Sequence, residues 1–311
     1  MIRAKNSGYA AIVPIGPGAV EVRRFHDLLD SLFAYEPEAR LCVTIDSARR
    51  ARRVAPRGNR SRGCQFVTLR APYQDQGEPL MGRLSAGILL ALRTVQQTGR
   101  FEFVLRMDTD ALAIGRFQDA IRALLAAHPE VGMLGTLGCT CRREAWYYGC
   151  ERTATSDVFK ALDTVPAGHS AFARIREHAR LAVENGYAGK EYCQGGAYAL
   201  SPAMLTRLSS MGCLDRPEDW LPLAVPEDVM MGMYARTVGL RSVDCSLPGQ
   251  PFGNHFGGLA YRPGELVERG YALIHSVKRD LEHSESEIRR YFRARRRALD
   301  GRHRTFMPTG A

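Results

Sequence analysis

Apolar residues fall into two spacings along this chain. A short apolar run at 9–14 passes through a Gly/Pro turn at 16–18 into a 3.6-residue pattern over 20–33, and a second run follows at 41–45. Short runs bounded by turn residues predict strands, and the longer stripe predicts a helix, so the chain opens as β-α-β. A third strand is predicted at 65–69, then a helix from about 79 to 98, an apolar strand at 101–107, a helix over 116–127 and a strand at 131–136. Strands alternating with helices predict an α/β domain built on a largely parallel sheet. Ligands of such sheets sit beyond the carboxyl ends of the strands. The loop carrying Pro14 and Gly16, and Asp46 at the end of the second strand, are therefore expected to face one nucleotide-sized crevice.

Beyond residue 138 the pattern weakens, with Trp146, Tyr147 and Tyr148 among polar residues and a helix predicted at 171–185. The segment EYCQGGAYALS reads as strand, Gly-Gly turn and strand, leading into a helix at 202–209. PEDVMMGMYARTVGL reads as a helix opened by acids, followed by strands at 241–244 and 271–275 and a basic helix at 285–299. No repeat or low-complexity linker divides the chain. The expectation is one domain over 1–280, with a nucleotide-binding half at about 1–137 and an acceptor half at about 138–280. A basic helix and tail would occupy 281–311.

Composition narrows the class. With 45% apolar and 24% charged residues the chain can bury a large core. No run approaches the roughly 20 apolar residues of a membrane span, and the start lacks a secretory signal, so a cytoplasmic location is expected. The eight cysteines are scattered, and Cys139, Cys141 and Cys150 lack paired zinc-site spacing, so reduced thiols are expected. The formal charge of +10 is uneven: seven arginines lie between Arg49 and Arg62 and eight between Arg289 and Arg304. Such clusters suit a solvated face, or contact with an acidic substrate, nucleic acid or an anionic membrane.

Four constellations carry candidate chemistry. Asp108-Thr109-Asp110 follows an apolar strand, and alternation puts both carboxylates on one side of the chain. Paired carboxylates suit Mg²⁺ or Mn²⁺, although a strand-end turn capped by Asp gives the same triplet. Pro226-Glu227-Asp228 has the composition of an ordinary helix N-terminus and also of a general base with a neighbouring acid, Asp228 being the candidate base. Gly195 and Gly196 suit a tight hairpin or backbone amides held close to a donor sugar. In LIHSVK, His275 follows an apolar strand and is a candidate third metal ligand, with His255 in FGNHFGG as its competitor. Lys278 could neutralise diphosphate charge.

Taken in order, FVLRMDTD, GGAYALS, PEDVMMG and IHSVK resemble the motifs of GT-A glycosyltransferases, within them the inverting β-1,3-glycosyltransferases that include the Fringe enzymes. The resemblance spans about 175 residues. It implies a Rossmann-like mixed sheet flanked by helices and metal-dependent, inverting transfer of a hexosyl or N-acetylhexosaminyl group. The implied donor is a nucleoside-diphosphate sugar, a UDP-sugar in the first instance, and the acceptor is a hydroxyl of a glycan or glycolipid. It carries over Asp108 and Asp110 for metal and donor, Asp228 as base and His275 as third ligand; Glu227, beside the base, would orient the acceptor or the base. Pro14, Gly16, Asp46, Arg83, Gly195, Gly196 and Lys278 would then bind the donor, with Mn²⁺ or Mg²⁺ as cofactor. Those relatives are anchored, disulfide-bonded secretory proteins, whereas this Arg- and Ala-rich chain has the composition of a bacterial cytoplasmic enzyme. Its C-terminal cluster suits peripheral contact with the inner membrane face. Two rival readings are a sugar-phosphate nucleotidyltransferase, although GPGAVEVRRF lacks that class's Gly-rich loop, and a non-catalytic binder of nucleic acid or anionic surfaces on a transferase-like scaffold.

Overall fold

A computed structural model describes residues 8–46, 63–70, 80–137, 158–163, 170–189, 191–255 and 257–305. The first arginine cluster, the aromatic triplet at 146–148 and Cys139, Cys141 and Cys150 lie outside the described residues.

Strands β1 (Ala10–Ile15), β2 (Leu41–Asp46), β3 (Gln65–Arg70), β4 (Val104–Met107), β6 (Val131–Leu137), β7 (Cys193–Leu200) and β8 (Arg241–Asp244) form one sheet in the order β3-β2-β1-β4-β7-β6-β8. β7 runs antiparallel to both neighbours, and the other pairings are parallel. The expected mixed α/β sheet is thus present. β7 comes from the second half of the chain and sits between two strands of the first. The two halves therefore close a single core.

Strand alternation sorts that core into two layers. Ala10, Ile12 and Val104 face a layer formed with α2 (Leu80–Thr98), α4 (Ser170–Glu184), α5 (Pro202–Ser210) and α6 (Glu227–Thr237). Tyr9, Ala11, Val13, Phe103 and Leu105 face the opposite layer, covered by α1 (Ala19–Tyr35) and α3 (Gln118–Ala127). Full burial of each large aliphatic side chain contributes roughly 1.5–3 kcal/mol, so the apolar runs explain the strands' position.

Gly82 lets α2 lie against a 3-10 turn at Pro217–Trp220, since a Cβ there would come within 2.2 Å of the Leu221 carbonyl oxygen. A second, three-stranded sheet orders β5 (Leu112–Ala113), β10 (Leu273–His275) and β9 (Phe252–Asn254). It rests on a small core with α7 (Pro263–Glu268) and α8 (Glu285–Thr305), through Leu112, Ile274, Leu266, Ile288 and Phe292.

The strands and helices fall close to their predicted places, with one correction. The segment expected to be a Gly-Gly hairpin is one continuous strand, β7. Gly196 does take a positive φ of 106°, but the irregularity it marks is a register shift against β6 rather than a chain reversal. Tyr198, Ala199 and Leu200 then continue the ladder with β4. A local glycine pair cannot distinguish a bulge from a turn, because both need the same backbone freedom.

Candidate metal and donor site

At the end of β4 the chain turns through Asp108, Thr109 and Asp110 into β5, the turn closing with the Ala111 amide donating to the Asp108 carbonyl at 3.1 Å. The Asp108 amide donates to the Gly196 carbonyl at 2.8 Å, tying this turn to β7. β10 pairs antiparallel with β5, and the Val277 amide donates to the Asp110 carbonyl at 3.0 Å. Residues more than 160 positions apart in sequence are brought together by these pairings.

The side chains converge as a result. His275 Nε2 lies 3.7 Å from Asp108 Oδ2 and 3.4 Å from Asp110 Oδ2. One ligating atom from each of Asp108, Asp110 and His275 lies within 4.8 Å of the others. Gly196 makes room for this imidazole: a Cβ at 196 would stand 2.3 Å from His275 Cγ. The competitor His255 is used otherwise, its ring Nδ1 accepting from the Gly257 amide at 3.3 Å.

Asp110 is buried, and its Oδ2 accepts from Ser276 Oγ at 2.5 Å and from Lys278 Nζ at 3.2 Å. Burial alone would raise its pKa, but His275, Lys278 and the Ser276 hydroxyl together hold the carboxyl well below the usual carboxylate range. Its Oδ1 is buried with no hydrogen-bond partner among the described residues. Two carboxylates and an imidazole, with one buried carboxylate oxygen still unengaged, fit Mn²⁺ or Mg²⁺.

A second cluster adjoins the first through Arg106, a fully buried cation that the sequence reading passed over. Alternation puts it on the side of β4 that faces α6. Its guanidinium lies 2.9 Å from Asp108 Oδ1, 2.5 Å from Glu227 Oε1 and 5.6 Å from the centre of the Tyr198 ring. Burial pushes the Glu227 carboxyl up to about 8 against the pull of Arg106. Burial also raises Asp228, whose Oδ2 accepts from the Gly195 amide at 2.7 Å and whose Oδ1 accepts from the Val229 amide at 2.9 Å. The Gly195 amide, expected to reach the donor sugar, is therefore committed to Asp228.

A cavity of about 300 Å³, at the lower end of small-molecule sites, opens beside Asp108 and Asp110. Pro14 lines it from the end of β1, Gly16 from the turn that follows, Glu21 from α1, Arg83 from the first turn of α2, and Lys278 from the 3-10 turn Val277–Arg279. Arg83 Nε is buried there with no hydrogen-bond partner among the described residues. Asp46 is buried at the end of β2 and does not line the cavity, whereas its neighbour Ile45 does. Glu21 also escaped the sequence reading. It accepts a hydrogen bond from Thr109 Oγ1, and its place three residues after the turn-ending Gly18 was the available signal.

No family model matches the chain, and no curated protein matches it. Among solved structures it is similar to the mannosyltransferase PcManGT from Pyrobaculum calidifontis in complex with GDP-Man and Mn²⁺. The two are 17% identical, and the match covers 94% of this chain and 64% of that one with a TM-score of 0.41. This chain thus spans less than two thirds of that enzyme's length, and the reading of the site rests on the site's own geometry.

Proposed function

We propose that the protein is a metal-dependent GT-A-type glycosyltransferase that moves a sugar from a nucleoside-diphosphate donor to an acceptor hydroxyl. The observation that carries this reading is the convergence of Asp108, Asp110 and His275, the two carboxylates lining a cavity together with Arg83 and Lys278. A divalent ion held by those three residues would neutralise charge on the departing nucleoside diphosphate. Arg83 and Lys278 supply positive charge from the cavity wall, and Pro14 and Gly16 form the face against which the nucleotide packs.

Asp228 takes the proton of the attacking acceptor hydroxyl. Burial gives its carboxyl a stronger hold on a proton than an exposed aspartate has, and the two backbone amides fix its plane. Glu227, bound to Arg106, holds the start of α6 against the Asp108 turn and so sets the distance between base and metal. Attack from the face opposite the leaving group would invert the anomeric carbon, as the sequence resemblance to the β-1,3 group implies. A UDP-sugar is the first donor to try, and glycans and glycolipids are the acceptors to offer.

The test is a thermal-shift screen of nucleoside diphosphates and their sugar conjugates, with and without Mn²⁺. Stabilisation by one nucleotide series that needs the metal and disappears in Asp110→Ala supports the reading. A nucleotide response indifferent to chelator and to Asp110→Ala would end it. Release of pyrophosphate from a nucleoside triphosphate and a sugar phosphate would replace it with the nucleotidyltransferase.

A further inference from the structure

A larger groove, of about 810 Å³, lies between α1 and the start of α8. Arg23, Arg24, Arg289, Arg290, Arg293 and Arg297 line it. Three of these are engaged at its floor. Arg24 binds Glu21 and Glu285, Arg289 binds Glu285 and Asp27, and Arg293 binds Asp27. The other three are exposed, and among the described residues none makes a direct ion pair with a carboxylate, although Glu287 lies near enough to Arg290 to feel its charge: Arg23 on α1, with Arg290 and Arg297 seven residues apart on α8. Charge in excess of local pairing is held open to solvent there. Such an arrangement raises the local concentration of anions.

One apolar side chain stands among these charges, Val20, which lines the groove at 44% exposure. Outside it, Leu281 ahead of α8 is 92% exposed, and Tyr291, on the side of α8 toward Gly264, is 43% exposed. The inner face of α8 holds Ile288, Phe292 and Arg296, all buried, so the helix is fixed to the body and cannot simply fold its arginines inward. Arginines with exposed apolar groups in and beside their groove match a lipid headgroup region, where phosphates meet the guanidinium groups and the apolar side chains reach the acyl boundary.

We infer that the α1/α8 groove is a docking surface for an anionic membrane. Nucleic acid offers phosphate without an apolar layer and leaves the exposed Val20 of the groove unused. The groove adjoins the candidate donor cavity: Glu21 in the first turn of α1 lines that cavity and binds Arg24, and Arg289 donates to the Thr109 carbonyl at 3.2 Å. Docking would therefore set the carboxylate turn close to the membrane plane. The inference stands apart from the transferase reading, since lipid binding needs neither donor nor metal.

The experiment is sedimentation of the full chain with phosphatidylcholine vesicles, with and without phosphatidylglycerol, over a salt series. Binding only to the anionic vesicles, and weakening with salt, is expected. Arg23→Ala, Arg290→Ala and Arg297→Ala combined should weaken partitioning on the order of a hundredfold at low salt, at the usual contribution of a basic residue near a charged surface. The same loss of charge at Arg93, Arg122 and Arg180, on other helices, should change it by no more than a few-fold. No binding to anionic vesicles at low salt overturns the inference, as does equal loss in the two triple variants. Duplex DNA or RNA that binds more tightly than the vesicles and loses affinity in the groove variant overturns it in favour of a nucleic-acid partner.

Discussion

Two buried clusters in this molecule are made of the same groups in opposite proportion. At the end of β4 one guanidinium, Arg106, faces Asp108 and Glu227, with Asp228 beside them. Between α1 and α8 one carboxylate, Asp27, faces Arg289, Arg293 and Arg296. Burial disfavours the charge of Glu227, Asp228 and Asp27 alike. In the first cluster it prevails, and Glu227 and Asp228 are raised; in the second, three guanidinium groups overcome it and Asp27 is lowered. Surplus acid next to a cavity leaves carboxylates that bind protons and cations. Surplus arginine around a single acid makes a clamp between helices.

Substitutions should separate the two. The largest effect is expected in Asp110→Ala, next to the acid-rich cluster, where turnover with a nucleotide sugar should fall by roughly 10³-fold or more and Mn²⁺ should no longer shift the melting temperature. Asp228→Asn should cost about 10²–10⁴-fold in kcat, the usual worth of a general base, while donor affinity measured by calorimetry stays within a few-fold. Equal losses of donor binding and turnover would remove Asp228 from its role as base.

Asp27→Asn tests the other cluster. It leaves the buried Arg296 without its counter-charge and Arg289 with Glu285 alone, and should lower the free energy of unfolding in urea by about 3–5 kcal/mol. Metal binding should survive in the folded fraction. Release of the last helix, read as faster proteolysis near residue 285, should accompany the loss. Gly196→Ala should follow, at about 1–3 kcal/mol, because it combines an unfavourable φ with a methyl group against the His275 ring. Loss of the Mn²⁺ response in that variant would tie the glycine to the metal site.

The smallest effect expected is a pH dependence. The folded-state pKa of Asp27 lies below its ordinary value, so its contribution is complete above the usual carboxylate range and is lost as pH falls through the lowered value. The gap in urea midpoint between the parent protein and Asp27→Asn should therefore narrow under acid. A gap unchanged by acid would mean that Asp27 acts by shape rather than charge.

The strands, the helices and the order of the motifs were legible from local pattern. Alternation and 3.6-residue stripes are properties of neighbouring residues, and Asp108, Asp110, Asp228 and His275 stood out at strand and helix boundaries. Other features needed the pairing of distant segments. β10 against β5 chose His275 over His255, and the β4–β7 ladder made Gly195 a support for Asp228 instead of a hairpin. Asp46 ended its strand as expected, although among the described residues it is Ile45, beside it, that lines the cavity. Nothing local marks Arg106 within its apolar strand, because its partner Glu227 lies 121 residues later. The arginines of the last helix, uniform in sequence, divide into those bound to Asp27 and those left to solvent. Sequence periodicity is set within one or two turns of backbone. The partner of a buried charge is set by whichever element the sheet brings alongside.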